Sequence, residues 1–84
     1  MSTNALAIDL GTTACKASVI AIDGALLGSG LTRIPVAFGD DGAAEQDAEQ
    51  VWQLTLDACR AAIAEAGVDA AASIVAVCVA SQWS

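Results

Sequence analysis

The sequence is poor in positive charge. Lys16, Arg33 and Arg60 stand against ten acidic residues, no histidine adds to them, and the formal net charge is −7. Nucleic-acid binding displaces counterions with a basic stripe, and three cations scattered over 84 residues form none. The start, MSTNALAIDL, has neither a basic leader nor a long apolar core, so it is not a secretory signal. The apolar stretch 74–80 falls far short of the ~20 residues a membrane helix requires. Cys15, Cys59 and Cys78 are odd in number, widely spaced and form no C-x-x-C, so all three are expected as buried thiols in a reducing, cytoplasmic setting. Two familiar phosphate loops are also absent: there is no G-x-x-x-x-G-K-[ST] and no G-x-G-x-x-G. Gly28-Ser29-Gly30 precedes no helix and reads as structural.

What is present is apolar: hydrophobic residues make up 56% of the chain. Residues 4–10 are a near-continuous apolar run, as expected for a strand covered on both faces. Gly11-Thr12-Thr13 breaks it, and a second strand follows over 15–22. Asp23-Gly24 then predicts a hairpin whose two central residues take positive φ. The third strand, 25–34, carries Gly28 and Gly30, which signal a bulge or a close backbone contact. After Pro35, residues 36–46 read as a loop.

Asp47 and Gln50 have capping-box spacing and open a helix that runs to about Ala66. Trp52, Leu56, Cys59, Ile63 and Ala66 form its apolar stripe, with Trp52 in the core, and Gly67 is placed to follow in a left-handed conformation. Residues 73–80 are a fourth strand, apolar throughout and therefore central. Three strands, a helix and a strand make a mixed β-β-β-α-β sheet with a crossover helix. A chain of this length is one domain at most. Because it stops directly after an apolar strand, it reads as a piece of a larger protein.

The chemistry concentrates at Asp9-Leu10-Gly11-Thr12-Thr13. Successive backbone amides in a tight turn form an anion-binding concavity, two hydroxyls add donors, and a glycine permits close approach. Asp9 would repel a phosphate unless a divalent cation stood between them. Mg²⁺ suits this arrangement, because it keeps most of its waters and takes one or two carboxylates plus phosphate oxygens. Lys16 is a candidate point charge nearby. The bland alternative is an Asx- or ST-type turn built by Asp9 and Thr12. Glu45 and Asp47 are explained more simply as helix-start residues than as an acid–base pair. Asp40 and Asp41 read as a solvated loop.

The stretch AIDLGTTACKASVIAIDG resembles the first phosphate motif of the actin-like ATPase superfamily, in which an Asp-x-Gly-Thr-Thr turn joins the first two strands of a ribonuclease-H-like domain. GAAEQDAEQVW, residues 42–52, keeps Gly42, Glu45, Asp47 and Trp52 at the spacing typical of the FGGY carbohydrate kinases. It departs at Ala43 and Ala48, where that family commonly has Trp and Pro. IVAVCVASQWS then resembles the family's apolar strand leading into a Gln-containing substrate loop. The resemblance covers essentially the whole chain, in order.

It implies an incomplete α/β, ribonuclease-H-like domain, with 1–84 the N-terminal part of the first, sugar-side domain. The implied activity is ATP-dependent phosphorylation of a small sugar or polyol. Asp9 would hold Mg²⁺, usually through water; Gly11, Thr12, Thr13 and Lys16 would line the ATP phosphate site; Gln82 and Trp83 would approach the sugar. The family's general-base Asp lies beyond residue 84, so this chain alone is expected to be inactive. Glycerol kinases usually continue after the Gln with Arg-Glu-Thr. Trp83-Ser84 stands there instead, which disfavours glycerol and favours a ketopentose such as xylulose, with Trp83 a plug or a stacking surface. The implied partners are small molecules, with neither nucleic acid nor membrane; a homodimeric parent and self-association of this chain are both allowed. Two rival readings are a non-enzymatic assembly module on the same sheet and another actin-like ATPase branch.

Overall fold

The computed structural model describes residues 3–11, 13–34, 37–38, 44–45 and 48–81. Strands β1 (Asn4–Leu10) and β2 (Ala14–Ala21) form an antiparallel hairpin, and β3 (Leu26–Arg33) adds antiparallel to β2. Two-residue strands β4 (Ala37–Phe38) and β5 (Ala44–Glu45) pair with each other, inside the stretch that the sequence marks as loop. Helix α1 (Ala48–Ala66) and the five-residue α2 (Val68–Ala72) lead into β6 (Ile74–Ser81), which lies parallel to β1. The sheet order is β3-β2-β1-β6, so the expected mixed sheet and crossover helix are both found. The Asp47 cap, Pro35 and Gly42 lie outside the described residues.

The β2–β3 turn differs from the expected form. Among the described residues only glycines take positive φ, so Gly24 (φ 92°) is left-handed and Asp23 is not. The Gly24 amide donates to the Ala21 carbonyl (2.8 Å), the Ala21 amide donates to the Ala25 carbonyl (2.9 Å), and the Asp23 carboxylate accepts from the Ala25 amide (3.0 Å). This is a three-residue turn with a glycine bulge. It spares the β-branched Ile22 a left-handed conformation.

The core lies between the sheet and α1. Leu6, Cys15, Ala17, Val19, Ile34, Ala58 and Ala62 are buried there, and strand alternation puts the strand members on one face. Gly28 and Gly30 make the predicted close contact: a Cβ at Gly28 would meet the Ala62 carbonyl and the Ala66 nitrogen (2.5 Å), and one at Gly30 the Ala58 carbonyl and the Ala61 side chain (2.7 Å). Thr32 Oγ1 donates to the Leu54 carbonyl (2.8 Å) and fixes the same seam. That closeness explains a correction on the helix. Its innermost line is Ala58 and Ala62, because only small residues fit over the glycines, so the large residues flank it. Cys59, Ile63 and Ala66 do pack on the core, but Trp52 is 58% exposed.

Gly67 has positive φ as expected (98°), but its ψ of 162° is extended, and it joins α1 to the unforeseen α2. Asn4 is only 2% exposed, and its side-chain amide donates to the Ala70 carbonyl of α2 (2.9 Å). Truncation to alanine removes this bond but leaves the Ala70 carbonyl the Ser73 amide, which also donates to it (3.2 Å), and it removes the buried, unpartnered Asn4 Oδ1 as well. Asn4→Ala is expected to cost no more than about 1 kcal/mol, read as a lower urea midpoint with an unchanged slope.

Strand β6 is not central. It is an edge, and Val75, Val77 and Val79 are between 60 and 72% exposed. Helix α1 lies over β2 and β3, and no described strand pairs with the outer side of β6. For the same reason β1 is covered on one face only, and Cys78 is exposed. Of the three expected buried thiols, Cys15 is buried and Cys59 intermediate.

Candidate functional site

The turn between β1 and β2 is anchored at both ends. The Gly11 amide donates to the Ala14 carbonyl (2.9 Å), and the Thr13 carbonyl accepts from the Ile34 amide at the end of β3 (2.8 Å). The Gly11 N–H is thus engaged within the chain, and any row of free amides facing an anion begins after it. Thr13 is exposed, while Thr12 lies outside the described residues.

Asp9 and Lys16 are directly opposite each other in the hairpin register. Their neighbours Ile8, Leu10, Cys15 and Ala17 belong to the core, so alternation sends Asp9 and Lys16 to the face away from α1. Both are exposed. Lys16 therefore shares the side of Asp9, which the spacing alone left open. The two make no direct ion pair. Among the described residues the one ion pair is Asp57–Arg60 (3.3 Å), an exposed i,i+3 pair of little energetic weight.

An open groove of about 410 Å³ runs along this helix-free face, lined by Asp9, Lys16, Ala7, Ser18, Cys78 and Ala80 among others. Ser18 and Cys78 were not expected there. Ser18 has the same strand parity as Lys16 and was legible, whereas Cys78 arrives only through the parallel pairing that sets it beside Ala7. The expected sugar-side residues Gln82 and Trp83 lie outside the described residues. Cys59 is chemically quiet, because burial pushes its thiol above the usual range and the nearby Cys15 pushes it the same way.

The donor set fits a hydrated divalent cation. No cluster of three or more His, Cys, Asp or Glu able to hold a metal occurs among the described residues, so these build no all-protein cage. One exposed carboxylate beside a lysine is instead what a magnesium ion shared with an anion uses, since Mg²⁺ retains several waters and takes few protein ligands. A lysine at this place is able to supply a point charge to such an anion.

The chain matches the FGGY family of carbohydrate kinases, N-terminal domain, over residues 4–84. It is 40% identical over 67 residues to a glycerol kinase of Marinomonas sp. (strain MWYL1), covering 80% of this chain and 14% of that protein. Glycerol kinase 1 of Pseudomonas aeruginosa is 41% identical over 71 residues, covering 84% of this chain and 14% of its own length. The chain therefore spans about one seventh of the length of these curated relatives. Among solved structures, gluconate kinase from Lactobacillus acidophilus superposes with a TM-score of 0.74 at 22% identity, over 98% of this chain and 16% of that one. At that identity the likeness speaks for the fold alone, the mixed sheet of a partial ribonuclease-H-like domain.

Proposed function

We infer the function from one premise: this chain belongs to the FGGY family of carbohydrate kinases. On that premise it is the N-terminal part of the sugar-side domain of an enzyme that transfers a phosphoryl group from ATP to a hydroxyl of a small sugar or polyol. The observation that carries this reading is the placement of Asp9 and Lys16 as cross-strand partners on one exposed face, beside the Gly11–Thr13 turn. Bound Mg²⁺ would supply charge neutralisation between nucleotide phosphates. Asp9 would hold that cation, Lys16 and the Thr12 and Thr13 hydroxyls would bind the phosphates, and Gln82 and Trp83 would contribute to the acceptor side. Catalysis of this kind is mostly positioning and electrostatics, so a fragment that lacks the general base and the adenosine side is inactive alone.

For the acceptor, the relatives favour glycerol: those quoted above are both glycerol kinases. The xylulose expectation gains no support from them. A ketopentose remains the second reading because Trp83-Ser84 replaces the Arg-Glu that holds a polyol. Both are tested in a chimera in which residues 1–84 replace the matching segment of the Marinomonas enzyme, with ADP release followed for glycerol, xylulose and gluconate. Turnover with glycerol is expected, and none from the 84-residue chain. A folded chimera inactive toward all three, or phosphorylation by the isolated chain, overturns the proposal.

A further inference from the structure

We propose that Ile34 is a positioning residue, which sets the aim of the Gly11–Thr13 turn from inside the core. The inference rests on the reading of that turn as the phosphate site. Each link in it is a contact within the layer formed by the sheet and α1. Two bonds define the turn. The Gly11 amide closes its mouth on the Ala14 carbonyl, and the Thr13 carbonyl accepts from the Ile34 amide (2.8 Å). The second bond lies one step beyond Ala14–Arg33, the last pair of the β2–β3 ladder. Because a peptide unit is planar, it fixes the plane that follows the Thr12 and Thr13 hydroxyls. Thr13 is exposed, so packing does not hold it. Its bonded partner is held instead: Ile34 is only 4% exposed.

A matched spacing seats Ile34. Gly28 lies against Ala62, Gly30 against Ala58, and Thr32 against Leu54. Two strand residues advance about 6.6 Å and four helix residues about 6 Å, so β3 and α1 stay in step. The next step sets Ile34 level with residues 50–51, and Val51 packs on the core. Pro35 follows in the sequence, and the residue before a proline is restricted to extended backbone. Alternation therefore carries past the exposed Arg33, and the Ile34 side chain shares the α1 side with Thr32. Branching at Cβ limits that side chain to few rotamers. Its seat against α1 thus decides where its amide points, and the amide holds the turn.

The test uses the chimeric kinase that carries residues 1–84, with the acceptor that it turns over. Ile34→Ala cuts back the buried side chain and keeps the amide donor, so an effect on the turn comes through the seat. The KM for MgATP is expected to rise about tenfold, as slight misplacement of a binding group causes, with the acceptor KM within about twofold of the parent. Val19→Ala is the control, because Val19 is fully buried in the same core but pairs with Leu6, well away from the turn. It lowers the unfolding midpoint as Ile34→Ala does and leaves both KM values in place. Ile34→Val keeps the branch at Cβ and is expected to hold the ATP KM within about twofold of the parent.

If Ile34→Ala does not fold, Ile34→Met decides. Its volume is similar and its chain unbranched, and a rise in ATP KM of about threefold is expected. An unchanged ATP KM in a folded Ile34→Ala overturns the proposal, as does an unchanged value in Ile34→Met. An equal rise in Val19→Ala, or an equal rise for both substrates, also overturns it, since either marks a general loosening. Failure of the phosphate-site reading is separate, because Asp9→Ala then leaves turnover intact.

Discussion

Gly30→Val is expected to abolish cooperative unfolding of this chain. A side chain at this position points at the backbone of α1: its Cβ alone would meet the Ala58 carbonyl, and the Ala61 side chain lies 2.7 Å away. A backbone carbonyl cannot rotate aside as a side chain can, so relief requires α1 to lift from β3. That movement opens the seam fixed by Thr32 and Leu54 and exposes the line of Ala58 and Ala62. Overpacking of a tight core costs about 1–3 kcal/mol and sometimes more, and an interior this small holds only about 5 kcal/mol of net stability to begin with. The check is a urea titration followed by circular dichroism. Leu31→Ala, on the same strand but exposed, is the control and is expected to stay within about 0.5 kcal/mol of the parent. An unchanged midpoint for Gly30→Val would refute the seam.

Asp9→Ala in the chimeric kinase is expected to lower kcat about a hundredfold or more, the loss typical of removing a preorganised electrostatic group. The position allows the test to be clean. Asp9 is exposed, makes no ion pair with Lys16 and contributes nothing to the core, so the unfolding midpoint should move by no more than about 0.5 kcal/mol. A rise in the magnesium concentration needed for half-maximal rate accompanies the loss if Asp9 holds the cation. Wild-type turnover in the variant would remove Asp9 from the phosphate site.

Much of the fold is legible because its signals are local. Asp23-Gly24 announces a hairpin, and Gly28 and Gly30 announce a close contact. The 3.6-residue periodicity of the helix gives its extent almost to the residue. What is not legible depends on which neighbours the chain supplies. An all-apolar strand such as β6 declares that it is suited to burial, and nothing within residues 74–81 states whether a second strand is present to bury it. Cys78 was misplaced with it. Trp52 failed for a related reason: hydrophobicity marks the helix stripe, but the glycines on β3 select small residues for its centre, and that selection is visible only once the two elements are packed. The Asp9–Lys16 pair sits between these cases. Hairpin symmetry about the Gly11–Thr13 turn sets the two opposite each other, whereas the far wall of their groove comes from a strand almost at the other end of the chain.

That wall has a kinetic meaning. Pairing β1 with β6 joins Leu6 to Val77 and closes a loop of about seventy residues, the kind of long-range contact whose entropy must be lost before any contact repays it. The β2–β3 hairpin and its docking onto α1 involve much shorter closures. The two halves of the groove around Asp9 therefore form on different schedules, the hairpin wall early and the β6 wall last. The surface around Asp9 thus depends on the least local strand pairing among the described residues.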